Sequence, residues 1–558
     1  MGDPVHQSQP AYGQRLLTSI IDERALASPL KPFMSIPAGD TVADGQRDIS
    51  YGDIARAINR CAWWIENTLG KGVDFPPIAT YMSPMDFRHV ILIFGAIKSG
   101  YKMFYSSPRN HVDVQIALLE KLQCTVLFTP NDMSATTKAV LEKRPEMKKF
   151  ILPELAYFLS EESMEPYPYS KTFEEARKDP YVVLHSSGST GTPKLLIQKH
   201  GSAAAHDAFQ LFSSLDDVPF FVSSWKGKRV LTNFPWVHAG GAHILGCGIY
   251  YDFVPVISAA WPLRGSEADH FHRNGSIQAA WYSPSVLADI ARDPIFLENI
   301  SNLMNVSYSG GILPPDVGSA ISKRTRLFGS MASTETGILP SEIPPPDMWN
   351  YYRFNERLGH TFKRYTDDLY ELVLTRDKAK QPFQFAFYTF LDAGTYDMRD
   401  VYIEHPSQPG WWRSSGRIDD VVVMEDAKKL NVIPYEASIE RHPDIATALL
   451  CGTGRPRPAV LLQPRKFPES DEEASNFLDD VWPTIEKANE SGPVHGRLIK
   501  ELVVLATEAK PMVKAGGKDT VMRKRSLQQY EEEIDVAYKR AEKLGLLYGE
   551  FAENGGLV

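Results

Sequence analysis

Residues 181–194 read Tyr-Val-Val-Leu-His-Ser-Ser-Gly-Ser-Thr-Gly-Thr-Pro-Lys. An apolar run empties there into a loop of small residues, hydroxyls and one lysine, and that mixture suits the holding of phosphate groups. Gly188 and Gly191 permit positive φ and close backbone approach. Ser186, Ser187, Ser189, Thr190 and Thr192 supply hydroxyl donors, and Lys194 adds positive charge. Gly191 is followed by Thr-Pro-Lys rather than Lys-Ser/Thr, so the loop is not the Walker type. A plain Ser/Gly/Thr linker would seldom follow a four-residue apolar strand or end in Pro-Lys.

Other residues carry chemistry that fits beside such a loop. In Ser333-Thr-Glu-Thr-Gly337, Thr334 offers a hydroxyl to a phosphate oxygen and Glu335 a hard oxygen ligand for Mg²⁺. Asp400, an isolated acid in a loop, carries no signal by itself. Arg417, after Gly416 in a turn, is taken alone an ordinary surface arginine. His238 lies in a run of small and apolar residues, Trp236-Val-His-Ala-Gly-Gly-Ala-His243, where a histidine is ordinarily part of the core. His243 is read as structural.

These residues need a scaffold, and the rest of the chain outlines one. Its 558 residues carry a net charge of −9, which excludes a tract built chiefly to bind polyanions and sets nucleic acid aside as a partner. Helical and extended patterns alternate over the first ~400 residues, the mark of an α/β architecture with parallel strands. His89 to Lys98 reads as a buried helix stopped by Ser99-Gly100. Leu303–Ser309 and Thr325–Phe328 read as buried strands running into Ser309-Gly310-Gly311 and Gly329-Ser330, where ligands sit in such sheets.

The pattern changes after Asp400. A strand is expected at Val421–Met424, a short helix near Tyr435–His442, a strand at Val460–Gln463 and a helix at Tyr530–Lys543. The acidic stretch Glu469–Glu473 reads as a solvated loop, and Arg523-Lys-Arg525 as a surface patch at a helix start. The boundary between two parts falls near Arg417–Asp420. Four scattered cysteines suggest neither a disulfide framework nor a zinc site. The polar N-terminus and the absence of a long apolar stretch point to a cytoplasmic protein with no membrane partner.

Taken together and in order, these segments resemble the acyl-adenylate-forming superfamily, specifically the adenylation domain of fungal nonribosomal-peptide-synthetase-like carboxylic acid reductases. Residues 181–194 resemble its phosphate-loop motif. Phe94-Gly-Ala-Ile-Lys-Ser-Gly100 with Ser107-Pro-Arg-Asn110 resembles an early core motif, and Phe234-Pro-Trp-Val-His238 the aromatic/His motif. Ser333 to Gly337 resembles the Thr-Glu motif, Asp400 the ribose aspartate, Gly416-Arg417-Ile-Asp419 the hinge, and Lys518 the C-terminal catalytic lysine.

The resemblance implies a large N-terminal α/β domain of layered mixed sheets (1–418) and a small mobile α+β lid (419–558). ATP and Mg²⁺ are the implied cofactors, and the reaction is activation of a small carboxylic acid as acyl-AMP with release of pyrophosphate. Transfer to the phosphopantetheine thiol of a carrier domain follows, with NADPH used only in a separate reductase domain. Lys518, Glu335, Thr334 and His238 are the implied catalytic residues, with Glu335 on the metal. Nucleotide contacts fall to Ser186, Ser187, Gly188, Ser189, Thr190, Gly191, Lys194, Gly310, Gly311, Ala332, Ser333, Thr334, Asp400, Gly416 and Arg417, and the lid turns about Asp419. The acyl pocket takes His238, Ala239, Gly240, Tyr282, Ser309 and Met331.

Amino-acid-activating relatives place an aspartate after the aromatic motif; here Ala239-Gly240-Gly241 offers no acid, and a buried ammonium would go unpaired. An acid without an α-amino group is expected. The small residues Ala239, Gly240, Gly310, Gly311 and Ala332 beside Trp236, Tyr282, Met331 and Phe328 suggest a flat slot for an aryl acid. The usual glycine after the hinge strand is absent from Val423-Met-Glu-Asp-Ala. The chain carries no serine-bearing carrier motif and no GxGxxG fingerprint, so it reads as either an adenylation domain of a longer enzyme or a free-standing ligase; the Ser-Pro-Arg-Asn form and the long Tyr530–Lys543 helix favour the first. A free-standing acyl- or aryl-CoA ligase, the adenylation unit of a quinone- or furanone-forming synthetase, and a non-catalytic nucleotide-binding module are the alternatives.

Overall fold

The computed structural model describes residues 11–107, 110–186, 194–366, 368–426, 428–490, 492–514 and 521–548. Among them, continuous apolar runs form strands buried on both faces, which is how parallel sheets covered by helices are built. One six-stranded sheet runs in the order Lys148–Ile151, Val126–Thr129, Pro77–Thr80, Lys102–Tyr105, Pro180–Ser186, Lys194–Lys199. Its pairs are parallel except the last, where Pro180–Ser186 meets Lys194–Lys199 antiparallel. A seven-stranded sheet runs Arg326–Gly329, Asn305–Tyr308, Ala279–Tyr282, Arg229–Thr232, Val254–Ile257, Pro32–Pro37, Gln46–Ser50.

Between the layers, the helix Arg88–Ser99 is buried along its whole length. A side chain at Gly95 would meet the Cys61 Sγ at 2.5 Å, so only glycine fits that crossing. Gly100 then stops the helix in the left-handed region at φ 86°. Beyond the two sheets lies an antiparallel five-stranded one, whose central strand Thr395–Glu404 pairs with Trp412–Arg417.

From Val422 onward the chain builds two cores of its own. They pack around the three-stranded sheet Ile445–Cys451, Ala459–Pro464, Val503–Leu505, with a hairpin of Val421–Val423 and Lys429–Asn431 beside it. A groove of about 700 Å³ is lined on one side by Tyr365, Thr366, Asp368 and Leu369 and on the other by the elements carrying Lys429, Tyr435 and His495. The acidic stretch is a correction: Asp471, Glu472 and Glu473 are the first turn of a 20-residue helix, Asp471–Glu490, where negative charge is favoured by the helix dipole. All four cysteines are buried free thiols. No described helix is long and apolar enough to cross a membrane.

Candidate active site

The phosphate-loop flanks are fixed by sheet register. Ser186 and Lys194 face each other as the final pair of their antiparallel ladder, with Ser186 half-buried and Lys194 exposed. Ser187, Gly188, Ser189, Thr190 and Gly191, between them, lie outside the described residues, as does Lys518. The base of the loop is braced from the neighbouring strand end: the Asn110 amide donates to His185 Nε2 at 3.0 Å and to the Ser106 hydroxyl at 3.0 Å. Asn110 thereby supports the strand that enters the loop.

The Thr-Glu motif forms a small hairpin, with Ala332 opposite Ile338 and Ser333 opposite Gly337. Its turn is tied by the Ser333 hydroxyl, which accepts from the Thr336 N–H at 3.1 Å. Thr334 is buried, and its carbonyl accepts from the Gln198 amide at 3.1 Å. Gln198 lies on the strand Lys194–Lys199 that leaves the phosphate loop, so one buried amide links the two motifs. The sequence offered no signal for Gln198, because its partner is 136 residues away. Glu335 sits half-buried at the hairpin turn, and no described lysine or arginine pairs with it.

Asp400 and Arg417 are register partners on adjacent strands, with Arg417 Nη1 3.4 Å from Asp400 Oδ1. Asp400 is largely enclosed, and burial pushes its carboxyl up to about 6; Arg417 opposes the rise, and the charges of Glu335 and Asp420 reinforce it. The Glu335 and Asp400 carboxylates therefore feel one another, which brings two distant motifs into one electrostatic neighbourhood. Arg399, just before Asp400, adopts a left-handed φ of 59° where the ladder shifts register, and its guanidinium holds Asp419 at 2.8 Å. Gly416 also has positive φ, and a side chain there would meet Ile433 Cγ1 at 2.9 Å.

His238 caps the helix Ala239–Tyr251, its Nδ1 accepting from the Gly240 N–H at 3.3 Å. A neutral His238 in that bond carries its proton on Nε2. Ala239 is buried on the same helix. Ser309 is nearly buried, its hydroxyl accepting from the Trp281 indole at 3.2 Å, and Gly310 follows at φ 93° with open space around it. Gly311 has only Pro284 near a would-be side chain, at 3.6 Å. Met331 packs at the edge of the core under the five-stranded sheet.

Tyr282 meets these residues through its backbone alone: its carbonyl accepts from the Ser309 N–H at 3.1 Å, while its side chain points elsewhere. It joins the core on the opposite side of the seven-stranded sheet from Trp281, and its hydroxyl lies 2.9 Å from His272 Nε2. Alternation along the strand Ala279–Tyr282 sends Trp281 and Tyr282 to opposite faces.

A second network surrounds the start of the helix Arg523–Gln529. Arg523 donates to Glu436 through Nη1 at 2.7 Å and also through Nη2, to the Leu450 carbonyl at 3.0 Å, and to Asp420 at 3.1 Å. Burial lifts Glu436 to about 7 against the pull of Arg523. The expected surface patch is thus corrected at its first residue: the Arg523 side chain is 18% exposed, while Lys524 and Arg525 face solvent.

Comparison with known proteins shows the family and the fold. The AMP-binding enzyme family matches residues 22–354, and its AMP-binding enzyme C-terminal domain matches 419–542. A carboxylic acid reductase of Neurospora crassa is 32% identical over 548 residues, 96% of this chain and 52% of that protein. An isocyanide synthase–NRPS hybrid of Aspergillus fumigatus is 30% identical over 97% of this chain and 35% of its own length. The chain therefore spans about half of the first and about a third of the second. Among solved structures, the O-succinylbenzoate coenzyme A synthetase of Bacillus subtilis in complex with AMP superposes with a TM-score of 0.65 at 14% identity, covering 92% of this chain and 98% of that one. Acetoacetyl-CoA synthetase from Streptomyces lividans gives 0.67 at 16%, over 94% and 87%. The architecture is that of adenylate-forming enzymes, and the chain belongs to the AMP-binding enzyme family.

Proposed function

We propose that the chain activates a carboxylic acid lacking an α-amino group, an aryl acid foremost, as acyl-AMP and hands it to the phosphopantetheine thiol of a carrier domain. One observation carries the reading: the Glu335 hairpin is tied through Gln198 to the strand leaving the phosphate loop while its charge reaches Asp400. In the first step a carboxylate oxygen bonds to the α-phosphorus of ATP and the bond to pyrophosphate breaks. In the second a thiolate attacks the acyl carbon, AMP departs, and the thiol proton is lost to solvent. No protein nucleophile is needed, so alignment and charge neutralisation supply the rate.

In this reading the resemblance assigns each residue a role, and the described residues are disposed in keeping with it. Ser186 through Gly191 and Lys194 hold the outer phosphates, with Thr334 beside them. Gly310, Gly311, Ala332 and Ser333 line the nucleotide, Asp400 and Arg417 take the ribose, and Gly416 shapes the turn into the hinge at Asp419. Glu335, a carboxylate with no described cation partner, fits a hard divalent ion; Mg²⁺ held there would neutralise charge on the departing pyrophosphate. His238, Ala239, Gly240, Ser309 and Met331 form the acyl pocket, without Tyr282. We place the division between core and lid at 418/419, supported by the separate cores beyond Val422 and the family match beginning at 419. Reduction with NADPH belongs to another domain of the parent enzyme, as the likeness to a carboxylic acid reductase suggests.

Carboxylate-dependent exchange of labelled pyrophosphate into ATP tests the reading across aryl, alkyl and amino acids. Exchange with aryl or alkyl acids and none with amino acids is the expected result; a folded, ATP-binding protein silent with every acid overturns it in favour of a non-catalytic nucleotide-binding module. Comparing free coenzyme A with a carrier thiol as acceptor then separates carrier transfer from a coenzyme A ligase.

Asp400 gives a second prediction. Its folded pKa of about 6 lies above the unfolded value of 3.8, so the folded state binds the extra proton and this group destabilises the fold progressively as pH rises from about 4 to 6. Asp400→Asn is expected to raise stability at pH 7.5 by up to about 3 kcal/mol, a gain that vanishes near pH 4. The same change should weaken ATP binding about tenfold, through loss of charged hydrogen bonds to the ribose. Wild-type affinity should fall as pH drops through 6. Thermal melts against pH and calorimetric titration with ATP measure both effects.

A further inference from the structure

His243 sits on the helix Ala239–Tyr251, four residues beyond Ala239 and three beyond Gly240, and so on the same helix face one turn deeper. The residue is 3% exposed. Its ring lies edge-on to those of His206, at 5.2 Å, and Phe385, at 5.8 Å. The helix also packs against the strand Gly337–Ile338, the partner of Ala332–Ser333. His206 is satisfied there, its Nε2 accepting from the Ile338 N–H at 3.0 Å. Neither ring nitrogen of His243 has a hydrogen-bond partner.

Burial pushes the His243 imidazole down to about 3, so it is neutral, with one nitrogen a donor and the other an acceptor. A buried polar group left unpaired is unfavourable by about 1–3 kcal/mol. The missing partner must be neutral, because a neutral ring offers no charge to balance a second carboxylate, and it gains most by both giving and accepting a hydrogen bond. A hydroxyl has that character, and an unsubstituted ring or alkyl chain does not.

We propose that His243 is a specificity-determining residue of the acyl pocket, its imidazole hydrogen-bonding a hydroxyl that the substrate acid carries away from its carboxylate. The proposal rests on the acid-activation reading above and narrows its substrate class to hydroxylated acids.

Pyrophosphate exchange with the full chain tests it, using benzoate and hexanoate, each against its monohydroxylated isomers. At least one hydroxylated acid should exceed its parent in kcat/KM about tenfold or more, since a site built around a substrate hydroxyl rejects the analogue lacking it. In His243→Leu that ratio should collapse to about one, whatever happens to the parent rate. His243→Gln, which keeps a donor and an acceptor, should retain a ratio above one and serves as the readout if the leucine variant does not fold. A wild-type ratio near one throughout overturns the proposal, as does a ratio unchanged in His243→Leu or one lost in His243→Gln. Silence with both series but exchange elsewhere in the wider panel overturns the proposal alone. Silence with every acid overturns the activation reading as well.

Discussion

Replacement of Lys518 by alanine is expected to slow carboxylate-dependent pyrophosphate exchange about 10²- to 10³-fold, the loss that follows removal of one preorganised electrostatic donor. Transfer of the acyl group from presynthesised acyl-AMP to a thiol should be spared. In the first half-reaction a carboxylate must approach an α-phosphorus whose oxygens are also negative, and an ammonium bridging the two removes the repulsion. In the proposed second half-reaction thiolate and acyl carbon meet without that conflict, with the C-terminal domain turned about Asp419. Lys518 lies outside the described residues, but Lys514 and Val521, which flank its segment, form an antiparallel bridge. Rapid-quench measurement of each half-reaction checks the expectation, and equal loss in both would refute the two-role assignment.

Arg523→Met is expected to destabilise the lid by about 3–5 kcal/mol, because it strands the buried Glu436 carboxylate. Arg523 lies three residues beyond the segment 515–520 and ties the helix it begins to Glu436, to the Leu450 carbonyl and to Asp420, which follows the hinge. Without the guanidinium, Glu436 must take up a proton to remain buried, so the deficit should be large at pH 8 and shrink toward pH 5. Arg523→Lys should rescue only part, since one ammonium cannot reproduce a two-pronged bond to a carboxylate together with the bond to Asp420. Glu436→Gln combined with Arg523→Met should be less damaging than the sum of the single changes. Denaturant titration of the wild type, Arg523→Met, Glu436→Gln and the double variant at pH 5 and pH 8 measures the coupling, and additive losses independent of pH would refute it.

Local chemistry made much of this legible before any coordinates. The strand running into a hydroxyl-rich loop, the helix closed by Gly100 and the strands entering the glycines after Ser309 and Phe328 are short-range patterns, and the structure reproduces their elements. What escaped depends on partners far along the chain. Gln198 is an ordinary strand glutamine until Thr334 folds against it, and Arg523 reads as one charge among three until Glu436 closes over it. Tyr282 looked suited to a pocket by its type, yet side-chain alternation beside Trp281 turned it to the opposite core. His243 was dismissed for lacking a motif, and only the unmet ring nitrogens single it out. Glu469–Glu473 misled because acidic residues favour a helix start as readily as an open loop.

Four sulfhydryl groups lie within the folded chain, and none is a competitor for the product. Acyl phosphate anhydrides acylate any accessible thiolate, so an exposed, ionised cysteine would divert the activated acid onto the protein itself. Burial pushes Cys124 up to about 11 and Cys451 up to about 12, and raises Cys61 and Cys247 as well. The native protein should therefore resist self-inactivation during turnover. It should also stay silent toward maleimides, so that sulfur titration reports the acceptor alone.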